Sequence, residues 1–244
     1  MTNLDDIATY VVNLPRRKDR RAWISARLPS AMTVTYTSDL DVVIDGRQLA
    51  TSDLQALGIK LFDWQIDSDN PWWNRPLKYG EIGCTLAHLA CWNHAEKHSA
   101  APYTLILEDD ATLPPEFAPR LLQTLNLIDE VDIAFDMLYL GRDLLRPDTP
   151  TPVPGIVHPG YSHCSYAYLL TRSGLRTALS TELTEAIVPV DEFLPALYTP
   201  HPRPDVRARF APRLTALAFD PPLVTQRPKD DAGSDTENSD FIRW

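Results

Sequence analysis

Cysteine is scarce in this sequence, and the few cysteines present do not suit a disulfide framework. They are Cys84, Cys91 and Cys164, and a small, odd number of cysteines fits reduced thiols better than paired ones. Cys84 and Cys91 fall within one predicted helix, where they would lie about 10 Å apart. That separation is too large for a disulfide bond, so we expect free thiols.

Long apolar runs and a surplus of positive charge are also missing. No stretch approaches the roughly 18 apolar residues of a membrane span, and residues 1–6 lack the basic and apolar regions of a secretory signal. The net charge is −10, from 23 Lys and Arg against 33 Asp and Glu, which argues against nucleic acid or an anionic membrane as the main partner. We therefore expect a cytoplasmic protein without a transmembrane segment.

The composition does supply enough apolar residues for a sizeable core. Hydrophobic residues make up 44% of the 244 residues and charged residues 23%, which is ordinary for globular proteins. We expect one domain over residues 1–228. The acidic tail, residues 229–244, is predicted to be either flexible or laid over the functional site.

The most informative stretch is an apolar run, residues 103–107, that ends in Glu108, Asp109 and Asp110. Such a run predicts a strand buried on both faces, as in the middle of a parallel sheet, and ligands bind beyond the C-terminal ends of such strands. If the chain stays extended, Glu108 and Asp110 point to one side and Asp109 to the other. Two interpretations fit: a divalent cation that carries a diphosphate, or an acidic turn.

A second cluster of charge follows the first predicted strand, residues 9–14. Pro15 suits the opening of a helix, and Arg16, Arg17, Lys18, Arg20 and Arg21 come directly after it. Cations at the start of a helix oppose its dipole unless an anion lies nearby. A nucleotide phosphate would be such an anion, and a solvated helix face paired with neighbouring acids is the alternative.

Two further segments are predicted to be irregular or to end in turns. Residues 42–46 indicate a second strand that ends in an Asp-Gly turn, where Asp45 either contacts a ribose or stabilises its own turn. Residues 63–76 hold Trp64, Trp72 and Trp73 among Asp, Asn and Pro. This segment is either a lid that faces a sugar or an acceptor, or a packed loop.

From Gly80 to about His98 the apolar residues recur at helical spacing. Glu81 and His88 then share one face, and Lys78, just before the helix, is a candidate phosphate contact. His94 and His98 have the spacing of a metal-binding pair, but a solvated helix face is favoured because no third ligand is apparent.

The remaining helices and strands are predicted from local sequence patterns. Helices are predicted over residues 114–128, from Thr171 or Ser173 to about 180, and at 190–194. Strands are predicted over residues 135–141, 166–170 and 214–219, and residues 147–160, with five prolines, are predicted to form an irregular surface crossing. Asp191 and Glu192 open the helix at 190–194, where acids also serve simply to cap a helix.

Several of these segments together resemble glycosyltransferase family 25, which includes lipooligosaccharide and procollagen galactosyltransferases. The resemblance covers nearly the whole chain in order, and the last three of its segments are closest to the procollagen branch. The matching segments are residues 10–14, 16–21, 43–46, 80–84 with Leu86 and His88, 107–110, 139–142, 160–162, 189–195, 201–202 and 234–237. Ala87 and Gln226 depart from the family pattern, which usually has serine and, in procollagen-like chains, histidine there.

The resemblance implies a fold, a donor and a metal. It implies an α/β, GT-A-like fold with a Rossmann-type, mostly parallel sheet flanked by helices. It further implies a UDP-sugar donor, with galactose as the expected sugar, a divalent metal (Mn²⁺, or Mg²⁺), and inversion at the anomeric carbon. The acceptor would be a glycan, a lipooligosaccharide or a hydroxylysine-like group, and the alternative function is a sugar-nucleotide-binding protein without transferase activity.

The resemblance also implies roles for particular residues. Asp110 would bind the metal with Glu108, and Asp191 would be the general base that one-step inversion requires, with Glu192 in reserve. The donor-binding residues would be Asn13, Leu14, Arg16, Arg20, Asp45, Gly46, Lys78, Glu81, His88, Glu108 and Asp109.

Overall fold

In the computed structural model, which describes residues 1–42 and 44–242, an eight-stranded sheet separates two layers of helices. The strands are β1 Ile7–Val12, β2 Val34–Tyr36, β3 Tyr103–Glu108, β4 Ala111–Thr112, β5 Met137–Leu144, β6 Thr149–Pro150, β7 Ile156–His158, β8 Ser162–Thr171, β9 Ala216–Phe219 and β10 Thr225–Gln226. The helices are α1 Lys18–Ser25, α2 Thr51–Ala56, α3 Tyr79–His98, α4 Phe117–Glu130, α5 Arg172–Leu179, α6 Val190–Ala196, α7 Pro204–Arg209 and α8 Lys229–Ala232. Short 3-10 turns occupy Leu4–Asp6, Thr37–Asp39 and Leu183–Glu185.

The large sheet has the order β2-β1-β3-β8-β5-β9-β7-β6, and β10 pairs with β4 in a separate ribbon. Strand β1 is parallel to both β2 and β3, and β5 is parallel to β9. Strand β8 lies antiparallel between β3 and β5, so the sheet is mixed. The predicted α/β class, with a central sheet flanked by helices, is confirmed, and its architecture is consistent with a GT-A-like fold.

Strand β3 is buried on both faces, as the apolar run predicted. Ile106 packs into the core beneath α3, whereas Leu105 and Leu107 pack into the opposite core, which α4 covers. All three side chains are fully buried, and each contributes about 1.5–3 kcal/mol relative to exposure. The alternation follows from the two-residue period of a strand.

The two helical layers reflect the apolar spacing of their sequences. Helix α3 buries Ile82, Leu89 and Trp92, and α4 buries Leu121 and Leu125 against the other face of the sheet. The prediction of a long helix from about Gly80 to His98 is confirmed, and so is the side-chain cap of α5, where Thr171 accepts from the Gly174 amide at 3.0 Å.

Two predicted segments were wrong in their secondary structure. The strand expected at 42–46 includes Val43, which lies outside the described residues, but residues 42 and 44–46 form a loop and turn; the second strand is β2 instead. The crossing at 147–160 contains β6 and β7, which form an antiparallel hairpin at the sheet edge. Proline is tolerated in edge strands because no further strand needs its missing amide hydrogen.

The tail folds back onto the start of α3. The Tyr79 amide donates to the Asp240 carbonyl at 3.0 Å, and the Ile242 amide donates to the Leu77 carbonyl at 2.9 Å. A side chain on Gly80 would collide with residues 235–239, so this glycine is what allows the close approach. None of the helices formed by the described residues has the length and apolar character that a membrane crossing needs.

Candidate functional site

The candidate site lies at one edge of the sheet, where strands of opposite direction bring different kinds of residue together. Asn13 follows β1, and Glu108 ends β3. Because β8 is antiparallel to β3 and β5, its beginning, with His163 and Ser165, lies at the same edge as the ends of those strands. The site therefore combines residues from the ends of β1, β3 and β5 with residues from the start of β8.

Two cavities open at this edge. The first, which we call the carboxylate cavity, has a volume of about 350 Å³ and is lined by residues that include Glu81, Glu108, Asp110, Asp143, Asp191 and Glu192. The second, the arginine cavity, has a volume of about 340 Å³ and is lined by residues that include Asn13, Leu14, Arg16, Arg17, Arg20, Asp45, Gly46 and Asp109. The two cavities share Arg20, Cys84, Glu108 and residues 233–236.

The three carboxylates after β3 divide between the cavities. Glu108 and Asp110 both line the carboxylate cavity, whereas Asp109 lines the arginine cavity together with Glu108. Asp109 and Asp110 lie in a turn rather than in the strand. Glu108 and Asp110 thus share the carboxylate cavity while Asp109 lies in the other, as predicted for an extended chain, although a turn and not a strand produces this arrangement.

Arg20 holds the two aspartates. Its guanidinium donates to Asp109 at 2.9 Å and lies 3.2 Å from Asp110. Asn13 donates a second hydrogen bond to Asp109 at 2.7 Å. Burial, followed by the charge of Glu108, raises the pKa of Asp110 to about 7, so Arg20 offsets the charge of this carboxylate only in part.

Glu108 is held from the opposite side. Ser165 donates to Glu108 Oε1 at 2.8 Å, and His88 Nε2 lies 3.6 Å from the same oxygen, which is beyond hydrogen-bond distance. Burial by itself would raise the pKa of Glu108, but His88 and Ser165 outweigh burial and keep the pKa below its usual value. The pair of carboxylates at 108 and 110 thus has one member that ionises readily and one that does not.

The donor atoms at this edge fit a divalent cation. His88 is fully buried and its Nε2 makes no hydrogen bond to any described residue, and the ligand atoms of Cys84, His88 and Glu108 lie within 4.8 Å of one another. That mixture of sulfur, nitrogen and oxygen suits a softer ion, whereas the carboxylates of Glu108 and Asp110 suit Mg²⁺ or Mn²⁺. Glu108 belongs to both sets.

The arginine cavity is built by a loop that packs closely on α3. Arg16 donates to Asp45 at 2.6 Å, and the Arg47 amide donates to the same carboxylate at 3.0 Å. Burial would raise the pKa of Asp45, but these hydrogen bonds outweigh it and lower the pKa. A side chain at Gly83 would lie 2.1 Å from the Ile44 carbonyl oxygen, so glycine at the start of α3 is what lets the loop approach.

The tail binds cations of both cavities. Asp235 bridges Arg16, at 2.7 Å, and Arg17. Arg20 donates to the Gly233 carbonyl at 2.5 Å, and Lys78 Nζ donates to the Glu237 carbonyl. Arg16, Arg17, Arg20 and Lys78, four of the candidate phosphate-binding cations, are thus already partnered by residues 233–237.

Asp191 and Glu192, adjacent in α6, have opposite environments. Glu192 accepts from Tyr161, from His201 Nε2 at 2.8 Å and from Trp73 Nε1 at 3.0 Å. Burial would raise its pKa, but His163, His201 and Tyr161 together hold the pKa well below its usual value.

The Asp191 side chain, in contrast, makes no hydrogen bond or ion pair with any of the described residues, although it lines the carboxylate cavity. Burial and the charge of Glu192 raise its pKa to about 7. A carboxylate with this pKa is half-ionised near neutral pH and is suited to accepting a proton.

A distortion of β8 brings in residues that sequence reasoning missed. Cys164 has φ 70°, and the register between β5 and β8 shifts at Asp143 and Gly141. As a result His163, Cys164 and Ser165 all line the carboxylate cavity, which a regular strand with alternating side chains would not allow. No periodic signal in the sequence marks this bulge, and none marks Asp235 as a partner of Arg16.

The predicted site residues gather as follows. Asn13, Leu14, Arg16, Arg20, Asp45, Gly46, Glu108 and Asp109 line the arginine cavity, and Lys78, Glu81, Glu108, Asp110, Asp191 and Glu192 line the carboxylate cavity. His88 lies behind Glu108. His94 and His98 stack on each other with ring centroids 4.4 Å apart, and His94 Nδ1 lies 2.9 Å from the Tyr10 hydroxyl; among the described residues they do not belong to a metal-binding group.

The sequence of this chain is similar to those of known proteins. Residues 6–144 match the family described as glycosyltransferase family 25 (LPS biosynthesis protein). The chain is 33% identical over 239 residues to a cattle protein named probable inactive glycosyltransferase 25 family member 3, covering 94% of this chain and 39% of that protein. It is also 33% identical over 243 residues to procollagen galactosyltransferase 1-A of Xenopus laevis, covering 96% of this chain and 38% of that protein.

A third relative, human procollagen galactosyltransferase 2, is 30% identical over 224 residues, covering 88% of this chain and 34% of that protein. The chain therefore spans less than two fifths of the length of these curated relatives. The family match covers more than half of the 244 residues, and the chain belongs to glycosyltransferase family 25.

Proposed function

We propose that this chain is an inverting, metal-dependent glycosyltransferase that moves a hexose, galactose in our proposal, from a UDP-sugar to an acceptor hydroxyl. The observation that carries the proposal is the pair of adjoining cavities that share Arg20 and Glu108. One is rich in cations, and the other holds the carboxylate of Asp191, which has no hydrogen-bond or ion-pair partner within residues 1–42 and 44–242. A reaction between a nucleotide-activated donor and a hydroxyl calls for both kinds of site.

The arginine cavity would hold UDP. Asn13 and Asp45 would contact the uridine end, and Arg16 and Arg20 would contact the diphosphate, since the planar guanidinium forms two parallel hydrogen bonds with such groups. These arginines now contact Asp45, Asp109, Asp235 and the Gly233 carbonyl. A diphosphate would share or replace those contacts.

Asp110 and Glu108 would hold the divalent cation, which we propose to be Mn²⁺ or Mg²⁺. When bound, the cation neutralises charge that develops on the UDP leaving group. The raised pKa of Asp110, caused by burial and by Glu108, supports this role, because a bound cation would stabilise the ionised carboxylate. Gln226 donates to both oxygens of Asp110, at 3.3 and 3.4 Å, which orients the carboxylate without neutralising it.

Asp191 would act as the general base. It would take the proton of the acceptor hydroxyl as that oxygen attacks the anomeric carbon from the face opposite UDP. Glu192, bound by Tyr161, His201 and Trp73, would position the start of α6 and would not itself take the proton. We place the reaction in the cytoplasm, and the three free cysteines support a reducing compartment.

A thermal-shift titration tests the donor site. UDP at millimolar concentration, with and without Mn²⁺, is followed by UDP-galactose, UDP-glucose and UDP-N-acetylglucosamine. Stabilisation that requires both UDP and metal is expected, because a ligand that binds only the folded state raises its stability. Asp110→Asn should abolish the metal-dependent part, whereas Asp129→Asn, an exposed acid on α4, should retain it. No shift with UDP and metal would overturn the proposal.

The second candidate is a sugar-nucleotide-binding protein without transferase activity. It is favoured by the names of relatives such as the inactive glycosyltransferase 25 family member 3 of human, which is 34% identical over 239 residues. Metal-dependent stabilisation by UDP-galactose together with no release of UDP from it, in the presence of acceptor sugars and peptides, would select this function over transfer.

A further inference from the structure

The three tryptophans of the loop at 63–76 have different environments. Trp64 is 3% exposed, and its Nε1 donates to the Trp72 carbonyl at 3.0 Å. Trp73 donates its Nε1 to Glu192 at 3.0 Å. Trp72 is 47% exposed and lines the carboxylate cavity together with Asp191. Two tryptophans therefore support the loop, and the third presents its ring to the cavity.

The backbone of Trp72 is held from both sides. Its amide donates to Asn70 Oδ1 at 2.9 Å, and its carbonyl accepts the hydrogen bond from Trp64. The Asn70 carbonyl accepts from the amides of Trp73 and Asn74, both at 3.1 Å. A large apolar ring that is exposed on a fixed backbone loses little conformational entropy when a ligand covers it.

From these contacts we propose that the carboxylate cavity contains an acceptor subsite for a neutral pyranose, whose ring stacks on Trp72 while one hydroxyl reaches Asp191. The inference rests on the proposed function and names its acceptor class. A pyranose has apolar C–H faces and polar hydroxyl edges, so it matches a flat indole beside free polar groups. The Trp72 indole N–H makes no hydrogen bond to a described residue and is available to a hydroxyl.

The charged residues around Trp72 make a neutral ligand the best fit for its ring. The Arg75 guanidinium carbon lies 5.0 Å from the Trp72 ring centroid, and Arg75 is fixed by an ion pair with Glu81. A ligand cation, such as the amine of a hydroxylysine-like side chain, would be repelled by Arg75 at this ring and drawn instead to the carboxylates elsewhere in the cavity. An anionic acceptor would instead meet Asp143 and Asp191 in the same cavity.

Steady-state transfer from UDP-galactose to methyl β-D-galactopyranoside and methyl β-D-glucopyranoside tests this subsite. We expect Trp72→Ala to raise the acceptor KM about tenfold and Trp72→Phe to raise it less, in proportion to the stacking surface that remains. The KM for UDP-galactose should stay unchanged. Trp23→Ala removes a tryptophan of α1 that packs on Arg27 and Arg227, outside the residues that line the cavities, and should leave the acceptor KM as in the wild type.

Two measurements separate failure of the subsite from failure of the proposed function. Saturation-transfer NMR with the same methyl glycosides detects binding to the protein with and without UDP, so it tests Trp72 even where no transfer occurs. Loss of the glycoside signal in Trp72→Ala supports the subsite. Glycoside binding or KM that is insensitive to Trp72, or wild-type transfer to a hydroxylysine peptide but to neither glycoside, would overturn it. An absent UDP thermal shift would instead count against the proposed function.

Discussion

The two cavities are nearly equal in volume, about 350 and 340 Å³, but they treat their charges differently. In the arginine cavity, Arg16 and Arg20 are already bound by Asp45, Asp109 and the tail. In the carboxylate cavity, Asp191 has no partner among the described residues. Paired charges keep a buried site folded in the absence of ligand, whereas an unpaired carboxylate retains the capacity to take up a proton.

The same contrast occurs between two adjacent residues. Glu192 is bound by several hydrogen-bond donors and its pKa is lowered, whereas burial and the charge of Glu192 raise the pKa of Asp191 to about 7. The positions differ by about 100° around a helix, enough to aim the Glu192 side chain at Tyr161, His201 and Trp73 and the Asp191 side chain away from them. Environment, and not residue type, therefore distinguishes a positioning carboxylate from a candidate base.

The largest expected effect comes from removing Arg20, whose ion pairs hold the buried aspartates. Arg20→Met should lower the free energy of unfolding by about 3 kcal/mol or more, because it leaves Asp109 and Asp110 buried without their cation. Urea unfolding measures this loss. Arg21→Met, which removes an exposed pair with Asp39, is the control and should cost about 0.5 kcal/mol.

The loss of stability in Arg20→Met should depend on pH. Without Arg20 the two carboxylates have folded-state pKa values further above their unfolded values, so the folded state takes up protons more readily than the unfolded one. The deficit of Arg20→Met should therefore be smaller at pH 5 than at pH 8. An equal deficit at both values would show that Arg20 acts through packing alone.

Asp191→Asn tests the role of the carboxylate that we propose as general base. Transfer should fall by about 10²-fold or more, the usual contribution of a general base, while the UDP-dependent thermal shift stays as in the wild type. Initial rates with saturating donor measure the effect. Retained transfer would assign the base to another residue.

Transfer by the wild-type protein should also depend on pH. Because the ionised form of a general base is the active one, and the pKa of Asp191 is raised to about 7, the rate should rise with pH and level off above about 7. Burial raises this pKa most, the charges of Glu192, Glu81 and Glu108 raise it further, and His163 opposes them. The residual rate of Asp191→Asn should lack this rise; a rise that persists would point to another titrating group.

A smaller effect is expected at the neighbouring carboxylate. Glu192→Gln should cost about 1–2 kcal/mol of stability, since the hydrogen bonds from Tyr161 and His201 lose their charged acceptor. It should also lower the pKa of His163, which Glu192 now raises against the effect of burial. Urea unfolding and NMR titration of His163 measure the two effects, with Glu185→Gln, an exposed partner of Lys60, as the control.

The smallest effect is expected in the tail. Asp235→Asn removes a partly exposed charge from Arg16 and Arg17 and should cost about 1 kcal/mol or less. Amide hydrogen exchange of residues 229–242 should become faster, because fewer contacts hold the tail against the cavities. Unchanged exchange would mean that the backbone contacts with Leu77 and Tyr79 hold the tail without Asp235.

Much of the fold was predictable from local patterns. The apolar run of β3 and the helical spacing of α3 are strong periodic signals, and the structure confirms both. Strand β2 was missed because it has three residues, Val34–Tyr36, too few for a periodic pattern. The hairpin of β6 and β7 was missed because proline excludes a central strand but permits an edge strand.

The sequence by itself determined that carboxylates and cations stand at the ends of short strands and at the starts of helices, because local propensity sets those strands and helices. Only the tertiary structure decided which of them meet. The antiparallel insertion of β8, its bulge at Cys164, and the return of the tail to Arg16 and Arg17 depend on contacts between residues far apart in sequence. Such contacts are set by the packing of the whole sheet and its two helical layers, which no local pattern encodes.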